Sequence, residues 1–214
     1  AKAALDSKNG GVLETANETV GQYGIRNPLG GVAGWSEVYM NASLESYLKG
    51  YNDPRIKSYF NLAQDGRDKE GNIIKEVAGV KQLNSIEGEY KGVRQGTGVA
   101  DNRYSTHSQT AITTGSKIIV MSAAEVWFLR AEAALRNYTS ENVENCYKQG
   151  ITVSFAQWDA SGVSEYLESE ETPAAYVDAF DKKFDADAPT SITPKWDESA
   201  PLELKLERII TQKW

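Results

Sequence analysis

The sequence contains one cysteine, one histidine and no excess of basic residues, and each shortage removes a class of protein chemistry. Cys146 has no second cysteine with which to form an internal disulfide or a thiolate metal cage, and His107 alone cannot supply a multi-histidine metal site. The 23 Lys and Arg residues against 30 Asp and Glu give a net charge of −7, whereas a nucleic-acid binder carries a positive surface. No apolar run reaches the ~18 residues that a membrane-spanning helix needs. We therefore expect no metal, no cofactor and no nucleic-acid partner.

The rest of the composition is that of an ordinary globular protein. The chain has 214 residues, of which 40% are apolar and 25% are charged, close to the average for such proteins. Its 18 glycines and 6 prolines are too few for a disordered or fibrous chain. At roughly 150 residues per domain, this length predicts one domain or slightly more, and such a chain buries about 70% of its unfolded surface. We treat residues 1–214 as a single domain.

The strongest helical pattern begins at Ile118. From there to Arg136, small and aromatic residues recur at helical spacing and form one broad stripe. Ser140 is the predicted N-cap of a second helix that reaches Trp158. Two helices joined by a short turn form an αα-hairpin, and small residues on the first helix are typical of tetratricopeptide repeats. We predict a mainly α-helical fold with a tetratricopeptide-type helix pair at 118–158.

The segment before this pair, residues 12–117, is rich in glycine and polar residues and has weak periodicity. We predict a short helix at Leu44–Lys49, a second one capped by Asp53, and a few short strands after residue 73, separated by long irregular loops. Long loops inside a compact domain are often functional, so we assign ligand binding to this loop-rich region. A further short helix is expected at Thr172–Phe180.

Both ends of the chain resemble interrupted helices. Residues 1–8 favour a helix that Gly10 would end, and a helix predicted from its N-cap Ser199 runs to Trp214 without a stop signal. We interpret the chain as a fragment of a larger protein, with 199–214 as the start of a truncated helix; natural termini that fray are the alternative. The sequence contains no signal peptide, and a fragment would have lost one.

The residues that could take part in catalysis do not form a recognisable catalytic motif in the sequence. His107 lies in a polar loop without an accompanying Gly-x-Ser-x-Gly motif, and we expect it to be an exposed loop histidine. We expect Cys146 to pack in the core. The acidic loop at 65–76 fails the register of a calcium loop, and the other acidic clusters are typical of solvated surfaces rather than of the paired carboxylates of a glycosidase. We therefore predict that the protein is not an enzyme.

Aromatic residues are the remaining candidates for ligand binding, and the sequence contains 11 tyrosines and 5 tryptophans. A ring exposed in a loop offers a flat apolar face to a sugar, and neighbouring polar side chains can bond the sugar hydroxyls. Alternatively, an aromatic side chain in a loop packs against the core. This alternative applies to every loop aromatic, including Trp196. The residues that we predict to bind a ligand are Trp35, Tyr39, Tyr90, Arg94 and Tyr104.

Five segments, in order along the chain, resemble motifs of one protein family. Tyr47–Arg55 matches YL-x-G-x-x-DPR, and Tyr90–Gly96 matches Y-x-G-(I/V)-x-x-G. Met121–Ala134 resembles AE-x-x-FL-x-AEA, Tyr147–Phe155 resembles Y-x-x-GI-x-x-S, and Leu206–Trp214 resembles LE-x-I-x-x-QKW. Together they resemble the SusD-like (SusD/RagB) outer-membrane nutrient-binding lipoproteins of Bacteroidetes, of which this chain would be a C-terminal-half fragment.

The resemblance implies a non-catalytic lipoprotein exposed on the surface of the outer membrane and held there by a lipid anchor that this fragment lacks. It implies that the protein binds oligosaccharide or polysaccharide nutrients and delivers them to a SusC-like TonB-dependent transporter. Two other functions stay open: a protein-interaction module that docks the transporter, and a binder of another nutrient such as peptide. A glycosidase is a third alternative.

Overall fold

The computed structural model describes residues 2–213 and is mainly helical. The α-helices are α1 (Lys2–Leu5), α2 (Pro28–Ala33), α3 (Ala42–Gly50), α4 (Ile56–Tyr59), α5 (Ala123–Leu135), α6 (Val143–Gln157), α7 (Val163–Leu167) and α8 (Leu202–Lys213). The strands are β1 (Val20–Gln22), β2 (Glu76–Val77), β3 (Val80–Lys81) and β4 (Ile118–Met121). Short 3-10 helices lie at Ser7–Asn9, Ala16–Glu18 and Lys182–Phe184. The predicted mainly α fold, with a helix pair, short helices, long loops and a few short strands, is confirmed.

Backbone contacts group the described chain into two compact units. Unit 1 comprises residues 2–25, 117–171 and 192–213, and unit 2 comprises residues 26–116 and 172–191.

The helix pair α5 and α6 forms the centre of unit 1. Helix α5 buries Phe128 and four alanines, and α6 buries Tyr147 and Ile151 against it. The pair can approach closely because α6 carries Gly150 at the crossing, where an added Cβ would lie 2.6 Å from the Phe128 ring. Helix α8 packs on α5, and α7 packs on α6. Fully burying a large apolar side chain contributes about 1.5–3 kcal/mol, so this stripe stabilises the pair.

A two-stranded antiparallel ribbon precedes α5, and it corrects the predicted start of that helix. Residues 118–121 form β4, which pairs with β1 in the register Gln22↔Ile118 and Gly21↔Ile119. Three consecutive β-branched residues favour a strand over a helix here. The helix begins only after Ser122, whose side chain accepts a hydrogen bond from the Glu125 amide at 3.0 Å.

Two other helix starts in unit 1 also differ from the prediction. Asn142, not Ser140, is the N-cap of α6, because its side chain accepts a hydrogen bond from the Asn145 amide at 2.7 Å. Helix α8 begins at Leu202 rather than after Ser199, whose hydroxyl instead donates to the Asp197 carboxylate at 2.6 Å. Trp214, the last residue of the predicted helix, lies outside the described residues.

Unit 2 contains short helices, the β2–β3 hairpin and long loops around a small core. That core contains Ala63, Val77, Ile86, Tyr104, Ala179 and Phe180. A buried carboxylate fixes the loops beside it: Asp65 accepts hydrogen bonds from the Gln82 amide, the Ser85 hydroxyl and the Ile86 backbone amide, at 2.6–2.7 Å. The Asp65 carboxylate therefore connects three other positions of these loops, which form no helix or strand there.

Local hydrogen bonds decide the secondary structure of unit 2 where it differs from prediction. Residues 172–180 form no helix, because Tyr176 pairs with Ala186 as an antiparallel bridge. Helix α4 begins at Ile56 instead of after Asp53, whose carboxylate forms a buried ion pair with Arg55. The helix predicted at Leu44–Lys49 is present as α3, with Asn41 as its N-cap. Helix α2 was not predicted from the sequence.

Candidate functional site

Trp35 stands on a turn that is fixed from both sides. Helix α2 precedes it, capped by Asn27, whose side chain accepts a hydrogen bond from the Leu29 amide at 2.9 Å. Gly30 of α2 lies so close to the backbone of Thr113 that a Cβ there would collide at 2.1 Å. The Trp35 side chain is 69% exposed and makes no hydrogen bond or ring contact within residues 2–213. Its ring is therefore available to a ligand.

Tyr39 closes the same turn. Its hydroxyl donates to the Ser36 carbonyl oxygen at 2.6 Å, and its ring is half-buried. Burial, together with the negative charge of Glu37, raises the pKa of this hydroxyl, so the neutral form that donates the hydrogen bond is favoured. The bond ties the ring to the turn that carries Trp35.

Tyr90 and Arg94 lie on an extended segment beside the residues that follow Tyr39. The backbone amide of Val93 donates to Met40 O at 2.8 Å, and the amide of Ala42 donates to Val93 O at 3.0 Å. The segment that follows Tyr39 and the segment that contains Tyr90 and Arg94 are therefore neighbours in parallel. Tyr90 is half-buried, and its hydroxyl has no hydrogen-bond partner within the described chain.

Arg94 has a positioning contact as well as an exposed side chain. Its Nη1 donates to the carbonyl oxygens of Phe184, at 3.2 Å, and Asp185, at 3.1 Å. Both acceptors are backbone atoms, so the guanidinium holds the loop that contains them without using a side-chain partner. Its Nε and Nη2 make no hydrogen bond within residues 2–213, and they are the donors that a bound ligand could use.

Tyr104 differs from the other four predicted residues, because the structure buries it. The side chain is 7% exposed, and its hydroxyl donates to Asp178 Oδ2 at 3.2 Å. Its ring makes edge-to-face contacts with His107 and Phe180, with centroids 5.0 and 5.6 Å apart. Burial and the negative charge of Asp178 raise the pKa of the hydroxyl. Tyr104 is a core residue, and we remove it from the candidate site.

His107 is also buried, contrary to the expectation of an exposed loop histidine. It is 2% exposed and stacks on Phe180, and neither ring nitrogen has a hydrogen-bond partner among the described residues. Burial lowers the pKa of His107 to about 3, with a further contribution from the positive charge of Lys91. A general base needs an oriented proton acceptor within reach of a substrate, and this ring has neither a nucleophile nor a carboxylate bonded to it.

The other reactive groups of the sequence occupy structural positions. Cys146 is buried in α6, and burial raises the pKa of its thiol to about 11, so the unreactive thiol form predominates. Within residues 2–213, no group of three or more His, Cys, Asp or Glu side chains could hold a metal ion. No helix in the described part of the chain is both long and apolar enough to cross a membrane.

A cavity of about 300 Å³ in unit 2 was not predicted from the sequence. Its charged residues are Glu45, Lys49, Glu89 and Lys91. The spacing of Glu45 and Lys49 indicates a helical ion pair, which the structure contains at 3.5 Å. No local pattern connects either residue to Lys91, which is 46 positions after Glu45.

Comparisons with known proteins identify the family and the fold of the chain. The chain matches the family described as Susd and RagB outer membrane lipoprotein over residues 1–214. A SusD homologue from Bacteroides vulgatus is 38% identical with a TM-score of 0.82, and a chitin-binding SusD homologue from Flavobacterium johnsoniae is 33% identical with a TM-score of 0.82. The alignments cover 100% of this chain, and 41% and 42% of those proteins.

A SusD-like protein from Bacteroides thetaiotaomicron is 30% identical with a TM-score of 0.76, over 99% of this chain and 45% of that protein. The chain thus spans about two fifths of the length of the solved structures that it matches. No curated protein matches it. The family match over residues 1–214 and the five sequence motifs lead to the same assignment: the chain belongs to the SusD/RagB family of outer-membrane lipoproteins.

Proposed function

We propose that this chain binds glycan nutrients, without catalysis, through the surface formed by Trp35, Tyr39, Tyr90 and Arg94. Members of the SusD-like family are binding proteins, and glycan binding in nutrient uptake is supported for the family. The observation that carries the proposal is the Trp35 ring, 69% exposed on a turn that Tyr39 and α2 hold in place. An exposed aromatic ring on a fixed backbone is a low-entropy platform for the apolar face of a sugar.

In this proposal, polar groups of the neighbouring segment would form the hydrogen bonds to the sugar hydroxyls. Arg94 retains two nitrogen donors that are not used within the described chain, and the Tyr90 hydroxyl can donate or accept. All four residues fall in the loop-rich region 12–117 that the sequence assigns to ligand binding. The chitin-binding homologue from Flavobacterium johnsoniae makes β-linked N-acetylglucosamine chains the first ligands to examine.

The biological setting in this proposal follows the family description. The complete protein would be lipid-anchored and exposed on the cell surface, and it would pass bound glycan to a SusC-like TonB-dependent transporter. The description of the family as outer membrane lipoprotein supports this location. Co-purification with such a transporter tests the partnership; retention of the transporter by a variant without glycan binding would favour the docking module over glycan capture.

Isothermal titration against chito-oligosaccharides, α-glucan oligosaccharides and short peptides tests the proposal. We expect heat with at least one glycan series and a loss of at least about tenfold in affinity on Trp35→Ala. Tyr138→Ala is the matched control, because Tyr138 is 62% exposed but belongs to unit 1. Heat with peptides alone, or equal effects of the two substitutions, would contradict glycan binding at this surface.

A further inference from the structure

The cavity of unit 2 is lined both by aliphatic side chains and by charged ones. Its aliphatic part comprises Ile86, Ala174, Ala175, Val177 and Ala179. No aromatic side chain is among the lining residues in the described chain. A volume of about 300 Å³ is at the low end of the range for ligand pockets, so the cavity suits a small molecule.

Two of the lining charges are buried and already satisfied. Glu45 and Lys91 are each 5% exposed, and the Lys91 ammonium donates to Glu45 Oε1 at 2.7 Å. The Gly92 amide donates to Glu45 Oε2, also at 2.7 Å, and the ammonium lies 4.4 Å from the centroid of the Tyr176 ring. A buried pair with these additional contacts is a fixed part of the wall.

The other two charges form the accessible part of the cavity wall. The Lys49 ammonium lies 3.0 Å from Glu89 Oε2 and 3.5 Å from Glu45 Oε1. The Lys49 side chain is 36% exposed and that of Glu89 is 53% exposed. An exposed ion pair contributes little to stability, so a ligand can separate the two side chains at small cost.

We propose that this cavity binds a free α-amino acid with a small aliphatic side chain. The ligand carboxylate would pair with Lys49, the ligand ammonium would pair with Glu89, and the side chain would contact Ala175 and Val177. Such a ligand replaces the single Lys49–Glu89 ion pair by two ion pairs, both of them charge-assisted hydrogen bonds. This site is separate from the proposed glycan surface and does not depend on it.

The charge arrangement disfavours other ligand classes. An anion that paired with Lys49 would lie beside the carboxylates of Glu45 and Glu89, and a cation that paired with Glu89 would lie beside Lys49. The anion would therefore gain one attraction against two repulsions, and the cation would gain one attraction against one repulsion. A neutral sugar would carry no charge to pair with either Lys49 or Glu89, and it would find no aromatic ring on which to stack. A ligand that carries both charges close together gains both attractions, and its own ammonium offsets the repulsion between its carboxylate and Glu89.

Titration calorimetry with three related probes tests the charge requirement. The probes are L-valine, isovalerate, which lacks the amine, and isobutylamine, which lacks the carboxylate. We expect binding of L-valine that is about tenfold or more tighter than binding of either single-charge probe. Equal affinity for the three probes, or heat with none of them, would overturn the proposal.

Variants at the rim and at the aliphatic wall locate the binding. Lys49→Met and Glu89→Gln should each weaken L-valine binding about tenfold, whereas the exposed controls Lys57→Met and Glu70→Gln should not. Ala175→Leu, which reduces the cavity at an exposed position, should abolish binding, and Ala188→Leu is its control outside the lining. If L-valine binding survives Ala175→Leu, the site is elsewhere. Glycan titration of the same variants separates a failure here from a failure of the proposed function.

Discussion

The carboxylate of Asp65 lies 2.6 Å from the side-chain amide of Gln82, and each of these residues is 2% exposed. Seventeen positions separate them in the sequence, and the same carboxylate also accepts hydrogen bonds from Ser85 and Ile86. The acidic loop that resembles a calcium site in composition is therefore organised by one carboxylate that binds amide and hydroxyl donors of its own chain.

Replacement of Asp65 should destabilise unit 2. Asp65→Ala leaves buried donors of Gln82, Ser85 and Ile86 without their acceptor, and we expect a loss of about 3 kcal/mol in the free energy of unfolding. Urea titration followed by circular dichroism measures this loss. Asp68→Ala, which also removes a carboxylate but at a more exposed turn, should cost less than about 1 kcal/mol; equal costs would contradict the structural role of Asp65.

His107 should make stability depend on pH. Its pKa in the folded protein is about 3, against an ordinary value of 6.5, so between these values the unfolded state binds more protons and stability falls as the pH falls. From pH 7 to pH 5 we expect a loss of about 2 kcal/mol from this residue. The measurement is urea unfolding at both pH values for the protein and for His107→Leu.

The leucine variant controls for every other titrating group, because only the imidazole is removed. The difference in stability between pH 7 and pH 5 should shrink by about 2 kcal/mol in His107→Leu. Stability at pH 7 should not fall steeply, since two buried nitrogen atoms without partners are removed along with the ring. An unchanged pH dependence would mean that the imidazole reaches water in the folded protein.

Gly150→Ala should disrupt the helix pair. The new Cβ would lie 2.6–2.9 Å from three atoms of the Phe128 ring, which is itself 2% exposed and cannot move freely. We expect a net loss of about 1–2 kcal/mol, since the clash outweighs the better helix propensity of alanine. Thermal unfolding of the variant measures this, with Gly31→Ala as the control, because a Cβ at Gly31 of α2 meets nothing within 4 Å.

The N-cap of α6 can be assigned by two substitutions. Asn142→Ala removes the side chain that accepts the Asn145 amide hydrogen bond, and the expected loss is about 1 kcal/mol. Ser140→Ala, at the position that the sequence pattern favours, should leave the melting temperature within experimental error. A larger effect at Ser140 would reverse the assignment.

Sequence patterns predicted the elements whose determinants are local. The stripe of small and aromatic residues in α5 and the motifs of α6 identify the helix pair, because both depend on neighbours three or four positions away. Ile118–Met121 was misassigned because a short apolar run fits a strand as well as a buried helix. Its partner β1 lies about a hundred residues earlier, and no local pattern connects the two.

In the candidate site, too, the sequence patterns do not reveal contacts between residues that are distant along the chain. Trp35 was recognised as a loop aromatic, but Tyr104 and His107 have equally polar neighbours in the sequence and are nevertheless buried. The residues that cover them, Phe180 and Asp178, follow more than seventy positions later. The buried ion pair of Glu45 and Lys91 in the cavity was not predicted either, because its two residues are also distant in the sequence.

The pairing of β1 with β4 has a consequence for the order in which unit 1 assembles. Thr19 and Ala123, which are hydrogen-bonded beside the ribbon, are 104 positions apart, whereas a turn at 136–142 connects α5 to α6. Loop closure at the larger separation costs about 2 kcal/mol more chain entropy. The helix pair can thus nucleate from its own stretch of chain, and the ribbon, which must close the longer loop, joins it later.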